Sequence, residues 1–150
     1  MIQENFHFNI ISSSPEETIK AGEEFAFFLH RGSVVALYGA LGAGKTYFTK
    51  GIAKALNIEE EVTSPTYTII SEYEGLFKKE KIAFYHIDAY RLLGDDDFIN
   101  IGGDELLYEN GISVIEWSER LSSSIPENAI SIKIEVIEHN KRRITTRDKK

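Results

Sequence analysis

Residues 39–46 read Gly39-Ala40-Leu41-Gly42-Ala43-Gly44-Lys45-Thr46, a complete G-x-x-x-x-G-K-T string. No other stretch constrains the chain as tightly. Glycines at these spacings let successive backbone N–H groups turn inward around phosphate oxygens. The lysine reaches the β- and γ-phosphates, and the threonine hydroxyl is a ligand for Mg²⁺. The flanks agree with this reading. Ser33 to Tyr38 is a short apolar run that suits a buried parallel strand. Thr46 to Leu56 then places Phe48, Ile52, Ala55 and Leu56 on one side of a helix. A loop between strand and helix gains the helix dipole and its free N–H groups as an anion cradle.

The remaining chain alternates strand and helix patterns. Phe6 to Ile11 reads as a first strand. Ser14-Pro15-Glu16-Glu17 opens a helix, with Ser14 as cap, Pro15 in the first turn and Glu17 completing a capping box. That helix is expected to run to about His30 and to stop near Gly32, with Ile19, Phe25, Ala26, Phe28 and Leu29 as its core face. Asn57 closes the turn after the loop helix, and a hydroxyl-rich, β-branched stretch, Thr63 to Ile70, follows. Ile82 to Ile87 is an apolar run ending in Asp88. Residues 94–110 read as one or two short acidic helices broken at Gly102-Gly103, and Ile112 to Ile115 is a strand ending in Glu116-Trp117. Ile130, Ile132, Ile134 and Val136 alternate with polar residues, and His139-Asn140 turns into Arg143 to Thr146 as a C-terminal β-hairpin. The expectation is one α/β domain over residues 1–150, a P-loop NTPase fold with a mainly parallel central sheet flanked by helices.

Charge and composition narrow the function. The chain is 42% hydrophobic and 27% charged, with no cysteine, which excludes disulfides, thiolate zinc sites and thiol catalysis. No apolar run approaches the ~20 residues of a membrane span, so no membrane role and a cytoplasmic location are expected. Of the net −7, residues 141–150 carry +5, so residues 1–140 carry −12. An acidic body is a poor stand-alone partner for nucleic acid, whose backbone is bound through Lys and Arg. The basic stretch 141–150 reads as a solvated tail.

Ligands of parallel sheets bind outside the carboxyl ends of the strands, and three elements should converge there: the loop, Asp88 and Glu116. Lys45 neutralises phosphate charge and Thr46 supplies part of the metal site. Asp88 and Glu116 are both candidates for the remaining roles, one holding Mg²⁺ and the other aiming the attacking water. Mg²⁺ suits such a site because it takes few carboxylates and keeps several waters beside phosphates. Residues 39–47, Tyr47 included, form the expected nucleotide-binding stretch. Ser64-Pro65-Thr66 is a candidate switch segment facing the γ-phosphate. Trp117 is a packing residue or a contact at the site mouth. His86 shares a sheet face with Asp88 and reads as a core histidine. The guanine-specifying string Asn-Lys-x-Asp is absent, since Asn140-Lys141-Arg142-Arg143 ends in arginine; ATP is the expected nucleotide.

In this order, the loop, Ser64-Pro65-Thr66-Tyr67, His86-Ile87-Asp88-Ala89-Tyr90-Arg91 and Val114-Ile115-Glu116-Trp117 resemble the TsaE (YjeE) family of small bacterial P-loop ATPases, over about residues 14 to 118. The resemblance implies a role in making N6-threonylcarbamoyladenosine in tRNA, using ATP together with the proteins TsaB and TsaD, with tRNA met only inside that complex. It also implies Glu116 as the Mg²⁺ ligand, Asp88 as a Walker-B-like acid, Ser64-Pro65-Thr66 as the switch-like loop and Trp117 at the site edge. Ala40 and Tyr47 depart from the pattern, which has an acid and a small hydroxyl at those places. Two other readings use the same loop. A small-molecule kinase would carry an arginine-rich lid, and no such cluster follows the mid-chain helices. A non-catalytic module would use ATP occupancy only to stabilise an assembly.

Overall fold

The computed structural model describes residues 8–40, 42–62, 69–121 and 123–147. Along them run β1 (Asn9–Ser12), α1 (Pro15–Phe25), β2 (Val34–Tyr38), α2 (Lys45–Ala55), β3 (Ile70–Phe77), β4 (Glu80–Asp88), α3 (Asp95–Asn100), α4 (Gly103–Leu106), β5 (Ile112–Glu116), β6 (Ile130–Glu138) and β7 (Lys141–Thr146). Single 3₁₀ turns lie at Ala26–Phe28 and Ser118–Arg120.

The strands form one sheet in the order β1-β7-β6-β2-β5-β4-β3. The four central strands, β6, β2, β5 and β4, are parallel. Both flanks are antiparallel, β7 and β1 on one side and β3 on the other, so the sheet as a whole is mixed. β5 is buried throughout, as is β2 up to Leu37, because the two central strands are covered on both faces. Alternation then sorts their side chains. Val35, Leu37, Phe84, Ile112 and Val114 meet Phe25, Phe48 and Ile52 of α1 and α2. Val34, Tyr85, Ile87 and Ile115 meet Phe98, Leu107 and Leu121 on the opposite face.

Ser14 caps α1 as the residues dictate, but the return bond to Glu17 comes from Ser13 N rather than from the cap's own N–H. Ser14 Oγ accepts from Glu17 N at 3.1 Å, and Glu17 Oε1 accepts from Ser13 N at 2.6 Å. The end differs from expectation. The α-helix stops at Phe25, a 3₁₀ turn follows, and Leu29 is extended and buried. The core face of α1 is Thr18, Ala21, Gly22 and Phe25, while Phe28 is exposed. Small residues line that face because α2 lies against it. A Cβ on Gly51 would sit 1.9 Å from the Ile19 carbonyl oxygen, and one on Gly22 would sit 2.2 Å from that of Phe48. The two helices touch backbone to backbone.

The C-terminal hairpin forms as expected, with Asn140 at φ 67° in its turn. The basic stretch 141–147 is corrected from tail to structure. Lys141–Thr146 is a strand inserted between β1 and β6, and the Arg147 guanidinium lies 3.9 Å over the Tyr38 ring.

Candidate functional site

The site begins where β2 ends. Gly44 takes φ +108° as the residue before α2, a conformation closed to most side chains. Helix bonding starts at once, with Phe48 N donating to Gly44 O at 3.1 Å. The loop is braced from the far end of the chain. Arg142 of β7 donates from Nε to Ala43 O at 2.9 Å and from Nη2 to Gly42 O at 3.4 Å.

Lys45 is buried. Its Nζ donates to Gly39 O within its own loop and lies 3.7 Å above the Trp117 ring. Burial lowers its pKa below the usual lysine value, and the carboxylates of Glu116, Glu119 and Asp88 oppose that shift. Trp117 also packs at 4.8 Å and a tilt of 51° against Tyr90, over which the Arg120 guanidinium sits at 5.2 Å.

Asp88 and Glu116 are register partners at the ends of β4 and β5, yet their surroundings differ. Glu116 is buried; its Oε2 lies 3.4 Å from Thr46 Oγ1 and 2.6 Å from His86 Nε2. Asp88 sits at the mouth, where its Oδ1 accepts from Tyr90 N at 3.0 Å. Among the described residues no group of three or more His, Cys, Asp or Glu is arranged to hold a metal by itself. One hydroxyl and one carboxylate at the head of α2 instead suit a cation that arrives with phosphate and keeps its waters.

A cleft of about 430 Å³ joins these groups. Gly42, Gly44, Lys45, Thr46 and Tyr47 line it on one side, Asp88, Tyr90, Glu116 and Trp117 on another. Ser13, Ser14, Pro15 and Thr18 at the head of α1, with Asn140 and Arg142 of the hairpin, complete the wall.

A family model described as "Threonylcarbamoyl adenosine biosynthesis protein TsaE" matches residues 12–144. The chain belongs to the TsaE family. A Treponema pallidum protein named "tRNA threonylcarbamoyladenosine biosynthesis protein TsaE" is 44% identical over 135 residues, 90% of this chain and 96% of its own. A Bacillus subtilis protein of the same name is 38% identical over 133 residues, 88% of this chain and 80% of its own. The crystal structure of Bacillus subtilis YdiB matches with a TM-score of 0.74 at 33% identity, covering 94% of this chain and 84% of that one.

In this TsaE-family chain the loop residues Gly42 to Tyr47, Asp88, Glu116 and Trp117 come together as the sequence places them. Gly39 is at the loop through the Lys45 bond, and Ala40 is exposed. Leu41, Ser64, Pro65 and Thr66 lie outside the described residues. Tyr90, Arg142, Asn140 and the head of α1 are cleft residues that sequence reasoning missed. The capping signal at Ser14 located a helix start but not its neighbour. His86 is a core histidine, as read, and is also bonded to Glu116; its shared face with Asp88 was the available signal. No helix among the described residues is long and apolar enough to cross a membrane.

Proposed function

We propose that the chain is a Mg²⁺-dependent ATPase that serves the formation of N6-threonylcarbamoyladenosine in tRNA, acting with TsaB and TsaD in the cytoplasm. One observation carries the reading: in a chain of the TsaE family, Lys45, Thr46 and the buried Glu116 face a single cleft at the carboxyl ends of parallel strands. Lys45 exchanges the Gly39 carbonyl for β- and γ-phosphate oxygens. The N–H groups and dipole at the head of α2 hold the same phosphates. Thr46 and Glu116 are the residues that would hold Mg²⁺. When bound, the ion neutralises charge on the phosphate oxygens. Asp88, at the mouth, orients the attacking water. The acidic body directs the chain toward protein partners rather than toward tRNA itself.

The test is phosphate release from ATP by the protein alone and with TsaB and TsaD, with Mg²⁺ or with EDTA. Turnover is expected with Mg²⁺ and both partners, and to fall by about a hundredfold or more in Glu116→Gln. Background release with the partners present would overturn the ATPase reading. Label moving from ATP to a small acceptor would indicate a kinase. Full tRNA modification in cells by a Glu116→Ala protein without turnover would leave an assembly module.

A further inference from the structure

The His86 side chain is fully buried on β4, and its Nε2 lies 2.6 Å from Glu116 Oε2 on β5. A carboxylate oxygen offers only lone pairs, so the ring bonds it through an Nε2–H. The other ring nitrogen, Nδ1, has no hydrogen-bond partner among the described residues. A leucine or phenylalanine filling the same space would offer Glu116 no N–H, so packing alone does not account for a histidine here. What the histidine adds is a fixed donor behind Glu116. The same Oε2 lies 3.4 Å from Thr46 Oγ1 at the head of α2. The carboxylate is therefore held from the sheet on one side and meets the loop helix on the other.

We propose that His86 is a positioning residue: it locks the Glu116 carboxylate in the orientation that meets Thr46 and the nucleotide-borne cation. The proposal rests on reading the cleft as a Mg–ATP site. His86 touches neither nucleotide nor cation and acts through Glu116. Ligating carboxylates are generally oriented by such outer partners, and losing one typically costs tenfold to a hundredfold in metal affinity.

The experiment compares wild type, His86→Leu and His86→Gln, whose amide N–H stands close to the place of Nε2–H. ATP affinity is measured by calorimetry in EDTA and across a Mg²⁺ titration, and thermal unfolding is followed alongside. For His86→Leu, affinity in EDTA is expected to stay within about twofold of wild type, while the Mg²⁺ concentration for half-maximal enhancement rises about tenfold or more. His86→Gln should recover most of the loss. If His86→Leu does not fold, His86→Asn, too short to reach Glu116, takes its place. Wild-type Mg²⁺ dependence in the variant lacking the donor sinks this proposal alone. So does a parallel loss of EDTA affinity and melting temperature that glutamine does not rescue, which marks a packing residue. A wild-type protein that binds no ATP, or gains nothing from Mg²⁺, removes the site reading and this proposal together.

Discussion

Lys45 holds a positive charge where water scarcely reaches it, with 5% of its surface exposed. Its ammonium is kept by Gly39 O, the Trp117 ring and nearby carboxylates. Because burial lowers the pKa of the free protein's lysine, and phosphate favours the charged form, ATP binding should raise that pKa again. Between the two values binding takes up a proton, so affinity falls as pH rises through the free protein's lysine pKa. Calorimetry at alkaline pH in buffers of different ionisation enthalpy should register the uptake. Lys45→Arg, charged at every accessible pH, should lack it. Equal proton uptake in both proteins would contradict the assignment. At this scale the sequence is informative where chemistry is local. The spacing of Gly44, Lys45 and Thr46 and the acids closing two apolar runs are all visible in short windows. The His86–Glu116 bond spans 30 residues and the Arg142–Ala43 bond spans 99, and no window contains either.

Helices α1 and α2 meet through Gly22 and Gly51, and this contact sets how the head of α1 faces the loop. Gly51→Ala is expected to destabilise by about 1–3 kcal/mol, since its Cβ meets backbone that has no room to yield. Gly94→Ala, with nothing within 4 Å, should change stability by less than about 0.5 kcal/mol. Denaturant unfolding of the two variants checks the contrast, and equal stabilities would disprove the close contact. The same contact explains why the core face of α1 is only partly legible. Of the expected Ile19, Phe25, Ala26, Phe28 and Leu29, the structure buries Phe25, Ala26 and Leu29, whereas Thr18, Ala21 and Gly22 meet α2 because close helix approach selects for small size, which leaves no apolar signal. β3 went unread for a different reason. Its two-residue turn to β4 is Lys78-Lys79, both at positive φ, rather than the Asn-Gly or Asp-Gly that announces a hairpin. The helix cap at Ser14, the break at Gly102-Gly103 and the C-terminal hairpin were legible because turn and cap chemistry is carried by the residues themselves.

Across the whole molecule, the basic C-terminal stretch and the glycine-rich loop form one unit. β7 lies between β1 and β6, and Arg142 carries that strand to the loop carbonyls of Gly42 and Ala43. Arg142→Ala is expected to weaken ATP binding about tenfold to a hundredfold, in line with the loss of a charge-assisted hydrogen bond. Arg142→Lys should recover little, because a single ammonium does not reproduce the two-point grip of a guanidinium. ATP affinities for the three proteins, measured beside their melting temperatures, decide the matter; unchanged affinity in Arg142→Ala would show that the brace is idle. The parallel centre was readable from continuous apolar runs, whereas strand order was not, since the pairing of β1 with β7 joins residues near opposite ends of the chain.

That pairing has a consequence for synthesis. The phosphate motif is translated by Thr46, but β1 finds β7, and the loop its arginine brace, only after residue 142 has been made. Contacts this distant along the chain form late. A ribosome that stops before Lys141 releases a polypeptide with every letter of the motif, an unpaired first strand and an unbraced loop. The pairing of β1 and the arginine brace of the loop therefore exist only in a chain extended past Arg142.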